Sequence, residues 1–524
     1  MNESTEATTV DEGPWAPRIF WGAMTTYLLL AVTSLKGLRG TDQYWYSGEL
    51  SSILAGSAPF SNFYFVGAIW RHGGIEGTNV FTHHTGVHYL AAPLGRVLGP
   101  YLGWVITGVA LTLFSAALVR WLVRDATGRP TLAASAAAIY LLSPLVFWNS
   151  INMLQESYQA SAVVLLGFCL YRATRSVAWA WITLVVLLVS CTLHPIFKLV
   201  AVASVFAAPW VLGSQVSLRT RAVLSAGALC VVAISLTVMP GLFPTTPTHS
   251  SLLVASEGFT NSAGFLEFDL AEPSMGLVLR KTAHGITTHI RALASSLGVF
   301  YLFFYISLCG LLAFGLTQRR SSDRSSMAVL GLSLVLLAGY AGVTSLHQVQ
   351  ARYALLVYPL TWVCTAIATS RLIDGQWLEV SARKRLRVAI LGGAILLTLG
   401  SLGIDTLMAR RVRSQANSAA HQLKDLRTLL SKSVGPVVGV VSDETAGAGV
   451  LLGYATDPRP YMSLLSFHME DARTSEVLSK YRPRTLMAEV GMDDVVPKLS
   501  ALGWELTHIA EDEAHVLYRM EPSP

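Results

Sequence analysis

Charge is what this sequence has least of. Only 13% of its 524 residues are Asp, Glu, Lys or Arg, against roughly 25% in a soluble globular chain. That scarcity excludes an ordinary soluble protein. With 52% of residues hydrophobic, hydrocarbon is the solvent that fits, because it cannot hydrate charge and needs long apolar runs. Basic blocks are also missing. The net charge of +6 is small for the length and comes from Arg and Lys beside the apolar runs, so nucleic acid is excluded as a partner. Cysteine is scarce as well: Cys169, Cys191, Cys230, Cys309 and Cys364 make an odd number, lie in or beside apolar runs, and show no metal spacing. They read as small core residues and do not report the redox compartment. The N-terminus is acidic (Glu3, Glu6, Asp11, Glu12) and no small-residue cleavage site follows the first apolar run, so no cleavable signal peptide is expected. No internal repeat is visible.

What is present is a series of apolar runs, each near the ~20 residues that cross ~30 Å of hydrocarbon. They begin near Ile19, Tyr101, Thr131, Asn152, Val177, Pro195, Ala222, Ala292, Met327, Arg352 and Leu386. The expected fold is a polytopic all-α membrane protein of about eleven transmembrane helices, with extracytoplasmic interfacial helices and a small C-terminal α/β domain. One set of connectors holds Arg120, Arg124 and Arg129, then Arg172 and Arg175, Arg219 and Arg221, Arg319, Arg320 and Arg324, and lastly Arg371, Arg383, Lys384, Arg385 and Arg387. The alternate connectors are poor in both residues, so the basic set is expected inside. The protein should then be multi-pass in the plasma membrane, with its N-terminus cytoplasmic and its C-terminal domain extracytoplasmic.

Residues 1–18 form the expected cytoplasmic tail, 19–410 the membrane domain with long outer loops at 38–99 and 241–289, and 411–524 the outer α/β domain. In the first loop, Tyr44 to Ala55 has helical spacing suited to an interfacial helix. Tyr44, Trp45, Tyr46, Phe63, Tyr64 and Trp70 are aromatic types that settle at headgroup depth. In the C-terminal domain, Val437–Val441 and Arg484–Val490 read as strands, Thr474–Tyr481 and Val495–Leu502 as helices, and Trp504–Ile509 and Ala514–Arg519 as closing strands. That domain lacks a glycine-rich phosphate loop and is assigned no chemistry.

Five polar signals fall on the outer side. Asp42 stands with Thr41, Gln43, Tyr46 and Glu49 just past the first span; it suits a general base for a hydroxyl, or a favourable first-turn acid. Next, His83 and His84 precede the second span with His88 and Tyr89. His84 and His88 are four apart, a spacing that could share a metal, although polar cavity lining is the stronger reading. Asn152, Glu156 and Gln159 follow at i, i+4 and i+7 on the fourth span, either as a functional stripe or as a structural pair with a buried base. His194 and Lys198 flank Pro195, where Lys198 could hold phosphate or snorkel to the headgroups. Finally, His347 and Arg352-Tyr353 precede Pro359; an arginine fork suits phosphate, and also an interface anchor.

The layout resembles the GT-C superfamily of lipid-carrier-dependent glycosyltransferases, with protein O-mannosyltransferases and bacterial aminoarabinose transferases closest in pattern. The residues that carry the resemblance are Asp42, Tyr46, Ala55-Gly56 and Pro59, the re-entry segment Phe81 to Pro93, and Arg352-Tyr353 with Pro359. It covers roughly Ile19 to Asp405. Two departures stand out: Asp42-Gln43 where the family often has Asp-Glu, and His83-His84-Thr85 where many members show Lys-Pro-Pro.

The resemblance implies an inverting transfer of a monosaccharide from a polyprenyl-phosphate carrier. Asp42 would deprotonate the acceptor hydroxyl. Arg352, Lys198, His194 and His347, or the loop cations Arg280, Lys281 and Arg291, would hold the donor phosphate. Glu49, His83, His84, Glu156 and Gln159 would line the acceptor side or the cavity. Expected partners are the lipid-linked donor, membrane lipid, and a protein, lipid or polysaccharide acceptor. No cofactor follows from these residues, and a divalent metal stays open. The alternative is a transporter or lipid flippase, which would favour related halves and ionisable groups at mid-membrane. A polymer ligase or a non-catalytic scaffold comes after that.

Overall fold

The computed structural model describes residues 15–35, 37–38, 41–56, 63–65, 85–211, 216–242, 279, 283, 287, 298–318, 324–346, 351–374, 380–436, 438–442, 461–465, 478–479, 482–492 and 494–523. The helices are α1 (Trp15–Ser34), α2 (Thr41–Leu54), α3 (Thr85–Leu98), α4 (Pro100–Thr127), α5 (Pro130–Leu141), α6 (Pro144–Ile151), α7 (Glu156–Ala173), α8 (Val177–Ser190), α9 (Ile196–Val211) and α10 (Leu218–Thr237). After a single turn at Met239–Leu242 come α11 (Gly298–Gln318), α12 (Arg324–Leu346), a 3-10 turn at Ala351–Leu356, α13 (Tyr358–Asp374), α14 (Val380–Leu430) and α15 (Val495–Ala501).

Among the described residues, three helical stretches are long and apolar enough to cross a bilayer: Pro100–Thr127, Leu218–Thr237 and Lys384–Gln415. The pair α5–α6, bent by 53°, makes a fourth if counted as one span. The expected count of eleven is not reached on that measure, because several apolar helices are short. The α8 helix has 14 residues, about 21 Å of rise.

Packing follows from breaks and small residues. Pro144 has no N–H to continue α5, and Ser143 caps the new helix by accepting the Val146 N–H at 3.4 Å. The chain therefore turns at this point and delivers the end of α6 to the polar site. At Gly103 a Cβ would meet the Gly95 backbone at 2.3 Å, so α3 and α4 lie against each other at a distance only glycine allows. At Gly86 a Cβ would strike Thr192 at 2.1 Å, which seats the start of α3 on the turn between α8 and α9.

The basic ends of the helices pack on rings. Arg120 lies over Phe20, Arg172 over Trp121 and Trp179, and Arg371 over Phe314. Arg175 pairs with Asp125 at 2.7 Å. Asp125 and Trp104 stand at opposite ends of α4, about 31 Å apart along its axis. The arginine-rich end of the bundle is thus remote from the Trp104 end, where the polar site lies.

Among the described residues the C-terminal sheet has six strands: β1 (Phe63–Phe65), β2 (Val438–Ser442), β3 (Tyr461–Leu465), β4 (Thr485–Glu489), β5 (Trp504–Glu511) and β6 (His515–Pro522), in the order β1-β3-β2-β4-β6-β5. The first four in that order are parallel, and β6 and β5 join antiparallel. The strands expected near 437–441, 484–490, 504–509 and 514–519 are present, as is the helix near 495–502. Of the helix expected at 474–481, only Leu478 and Ser479 are described. Neither β3 nor β1 was expected, and β1 comes from the segment between α2 and α3.

The sheet is covered on both faces. Val438, Val440, Met487 and Leu517 share a core with Leu426, Leu429 and Leu430 at the end of α14. Val441, Leu486, Ala488 and Met520 pack with Leu478, Val495, Leu499 and Trp504. This alternation is the period-two signature of a strand. The Thr485 hydroxyl, bonded to Val434 O at 2.6 Å and accepting Val434 N–H at 2.8 Å, ties the helix end to the sheet.

Candidate active site

The α2 helix begins at Thr41, so Asp42 stands in its first turn; the Asp42 side chain lies outside the described residues. The segment does not lie on the surface as an interfacial helix would. Gln43, Tyr46, Ser47, Glu49 and Leu50 are all buried, because α2 packs on α3 and α4.

Three polar links leave this helix or adjoin it. Gln43 Nε2 donates to Asn152 Oδ1 at 2.9 Å. Glu49 Oε2 lies 2.7 Å from His88 Nε2, both side chains at most 1% exposed. Beyond Asn152, Glu156 Oε1 meets Arg352 Nε at 3.2 Å, with Glu156 buried and Arg352 20% exposed. Arg352 sits in the 3-10 turn, its guanidinium 5.4 Å from the Tyr353 ring centroid.

Asn152 is not on the same helix as Glu156 and Gln159. It is the C-cap of α6, while α7 starts at Glu156. The expected single stripe is a helix break, and this break lets Asn152 turn toward Gln43 while Glu156 faces the arginine. Gln159 Nε2 donates to Leu193 O at 3.0 Å, which joins α7 to the α8–α9 turn.

In that turn, His194 Nδ1 accepts the Ile196 N–H at 3.1 Å and so caps α9. His194, expected among the phosphate-binding residues, thus spends one ring nitrogen on the helix cap. Burial pushes this ring down to about 4. Lys198 is half-buried in the first turn of α9. The expected sites His83, His84 and His347, and the loop cations Arg280, Lys281 and Arg291, lie outside the described residues.

An aromatic block that the sequence did not single out supports these links. Trp104 stacks on Tyr46 with ring centroids 5.2 Å apart and meets His88 edge-on at 4.9 Å. Its indole N–H donates to Leu154 O at 3.2 Å, and its carbonyl accepts from the Tyr158 hydroxyl at 2.7 Å. Trp104 is thus fixed at both its ring and its backbone. The only sequence signal for it was an aromatic at the mouth of the second span.

Among the described residues no group of three His, Cys, Asp or Glu side chains converges. The two buried carboxylates of the site already face His88 and Arg352, so these residues do not by themselves form a metal's donor set.

The fold is a helical bundle with a polar site at one end and a C-terminal sheet. Two solved structures share it over nearly the whole chain. ArnT from Cupriavidus metallidurans bound to undecaprenyl phosphate aligns over 96% of this chain and 97% of its own, with 12% identity and a TM-score of 0.54. The oligosaccharyltransferase AglB from Archaeoglobus fulgidus, in complex with an inhibitory peptide and a dolichol-phosphate, aligns over 93% of this chain and 71% of its own, with 13% identity and a TM-score of 0.52. No protein-family model matches the sequence, and no curated protein matches it by sequence.

Proposed function

We propose that this protein is an inverting glycosyltransferase, moving a monosaccharide from a polyprenyl-phosphate carrier to an acceptor hydroxyl at the outer face of the plasma membrane. The observation that carries the reading is the run of contacts from Gln43, the neighbour of Asp42, through Asn152 to the Glu156–Arg352 pair. A segment bearing a carboxylate and a turn bearing a fixed cation are thereby held at one end of the bundle. Lipid-linked substrates are consistent with the fold neighbours, one bound to undecaprenyl phosphate and the other in complex with a dolichol-phosphate. In this reading all eleven apolar segments cross the membrane, the arginine-rich end is cytoplasmic, and the donor enters sideways from the bilayer.

The proposed chemistry is direct displacement. Asp42 takes the acceptor proton as the hydroxyl oxygen attacks the anomeric carbon. The bond from that carbon to the phosphate oxygen breaks, and the lipid phosphate leaves with the electron pair. Arg352 and Lys198 meet the charge that develops on it, where a fixed cation in a water-poor site is worth several kcal/mol. Glu156 keeps Arg352 in place, and His194 joins Arg352 and Lys198 at the donor phosphate. Glu49, Gln159, His83 and His84 line the cavity, and His347 borders the donor.

The test is transfer by the purified full chain from a panel of polyprenyl-phosphate hexoses and pentoses, read by mass spectrometry of envelope acceptors. The Asp42→Asn variant should bind undecaprenyl phosphate as the wild type does and lose transfer by ~10²–10⁴-fold, the usual worth of a positioned base. Arg352→Ala should weaken donor use by ~10²-fold or more. Full activity in Asp42→Asn would remove the mechanism. Unchanged kinetics in Arg352→Ala would leave that residue an anchor.

A further inference from the structure

We propose that His88, through its close contact with Glu49, is a positioning residue that sets the register of α2 and so the placement of Asp42. The inference rests on the glycosyltransferase reading for its kinetic part only. Both partners are buried to 1% exposure or less, and their Nε2–Oε2 separation is 2.7 Å. A close contact between two buried polar side chains ties the two helices at one point, and removing one partner leaves the other stranded.

The rest of the buried face of α2 is Tyr46, Leu50 and Ile53 with the polar Gln43, Ser47 and Ser52. Gln43 holds the start of the helix through Asn152, whereas its second half is packed mainly by apolar contacts, which are non-directional and tolerate sliding or rotation; there the Glu49–His88 contact holds only where the two side chains face each other. Glu49 follows Asp42 by two helical turns, which puts both on one face, ~10 Å apart along the axis.

The other end of the link is rigid. His88 meets Trp104 edge-on, and Trp104 is held by Leu154 and Tyr158. Leu154 lies two residues before Glu156, the partner of Arg352. One scaffold therefore fixes the arginine turn and, through Trp104 and His88, helix α2. A shift of α2 would move the base relative to the cation while each remained intact.

The experiment uses the full chain in detergent, with hydrogen exchange of the segment 41–54 as a readout independent of activity. His88→Ala should raise exchange in that segment ~10-fold or more while α7 stays protected. It should lower kcat ~30–100-fold with donor KM within ~2-fold, as expected for misplaced catalytic groups. His88→Gln, which can still donate to Glu49, should recover most of both. The double change Glu49→Met with His88→Leu removes both buried polar groups together and should fold with an unchanged or higher Tm. Its kcat should nevertheless stay low and α2 exchange high. Full kcat in that apolar pair would overturn the proposal, because packing alone would then suffice. Wild-type exchange of α2 in His88→Ala would overturn it as well. Were the wild type to transfer no sugar from any donor, the functional reading would fail by itself, and the exchange data would still decide whether His88 positions α2.

Discussion

A histidine at the edge of a membrane takes its charge from its surroundings, and His194 shows which way these act. Burial lowers it to about 4, against ~6.5 for a free imidazole. As pH falls, the unfolded chain binds the proton first. The stability contribution is therefore complete above pH ~6.5 and is lost progressively toward pH 4. His194→Asn keeps a side-chain acceptor for the Ile196 N–H and removes the titration. Its Tm should decline less than that of the wild type between pH 7 and 4.5, measured by thermal unfolding in detergent. Superimposable profiles would show that the ring does not titrate there. At this scale the sequence was legible in kind: Glu49, Glu156, Gln159, Arg352 and Lys198 were all visible as polar residues at one end of apolar runs. Their partners were not. Nothing in local spacing tells that Glu49 meets His88 or that Glu156 meets Arg352, because those pairings depend on how helices far apart in sequence pack.

The last membrane helix poses a problem of the next scale. Along α14, Leu391, Ile395, Leu396, Leu399 and Leu407 are exposed, while Ser401, Asp405, Ala409 and Val412 form one buried stripe against the bundle. Exposed leucine suits lipid. A buried carboxylate does not, and neither oxygen of Asp405 has a hydrogen-bond partner among the described residues. Tyr27 already donates its hydroxyl proton to Ser150 Oγ at 2.5 Å. An unsatisfied buried polar group costs ~1–3 kcal/mol and a charged one more. Asp405→Leu should therefore raise Tm by several degrees in detergent without harming expression. A lowered Tm would mean that the carboxylate holds something the helices need. The lone acid was visible in the apolar run from Leu386, yet sequence read it only as a boundary; which face it occupied required the packing of α14 on α1. The break at Asn152 was missed for a related reason. Its residues keep helical spacing across a turn that the hydrogen bonds do not continue.

Taken whole, the molecule is joined in a place where its sequence suggested two independent parts. A membrane domain followed by an outer α/β domain was the reading from composition, since charge returns to ordinary levels after about Arg411. But α14 runs unbroken from Val380 to Leu430 into the sheet core, and β1, from the segment between α2 and α3, adds a strand to that sheet. A three-residue strand has too little pattern to be read locally, and its partner β3 lies almost the length of the chain away. The consequence is mechanical: the connector between α2, which carries Asp42, and α3, which carries His88, is held by the C-terminal domain. The register pairs Tyr64 with Met462, and neighbouring strands run ~4.8 Å apart, inside the Cα range that a disulfide spans. In a chain with its native cysteines replaced, Tyr64→Cys with Met462→Cys should oxidise to an intramolecular cross-link in intact membranes. Phe65→Cys with Tyr461→Cys, offset by two positions at ~8 Å, should do so far less. Equal yields would deny the register. If the paired strands are the working state, the cross-linked protein should keep its transfer activity, whereas loss on oxidation and return on reduction would show that the loop must leave the sheet for each turnover.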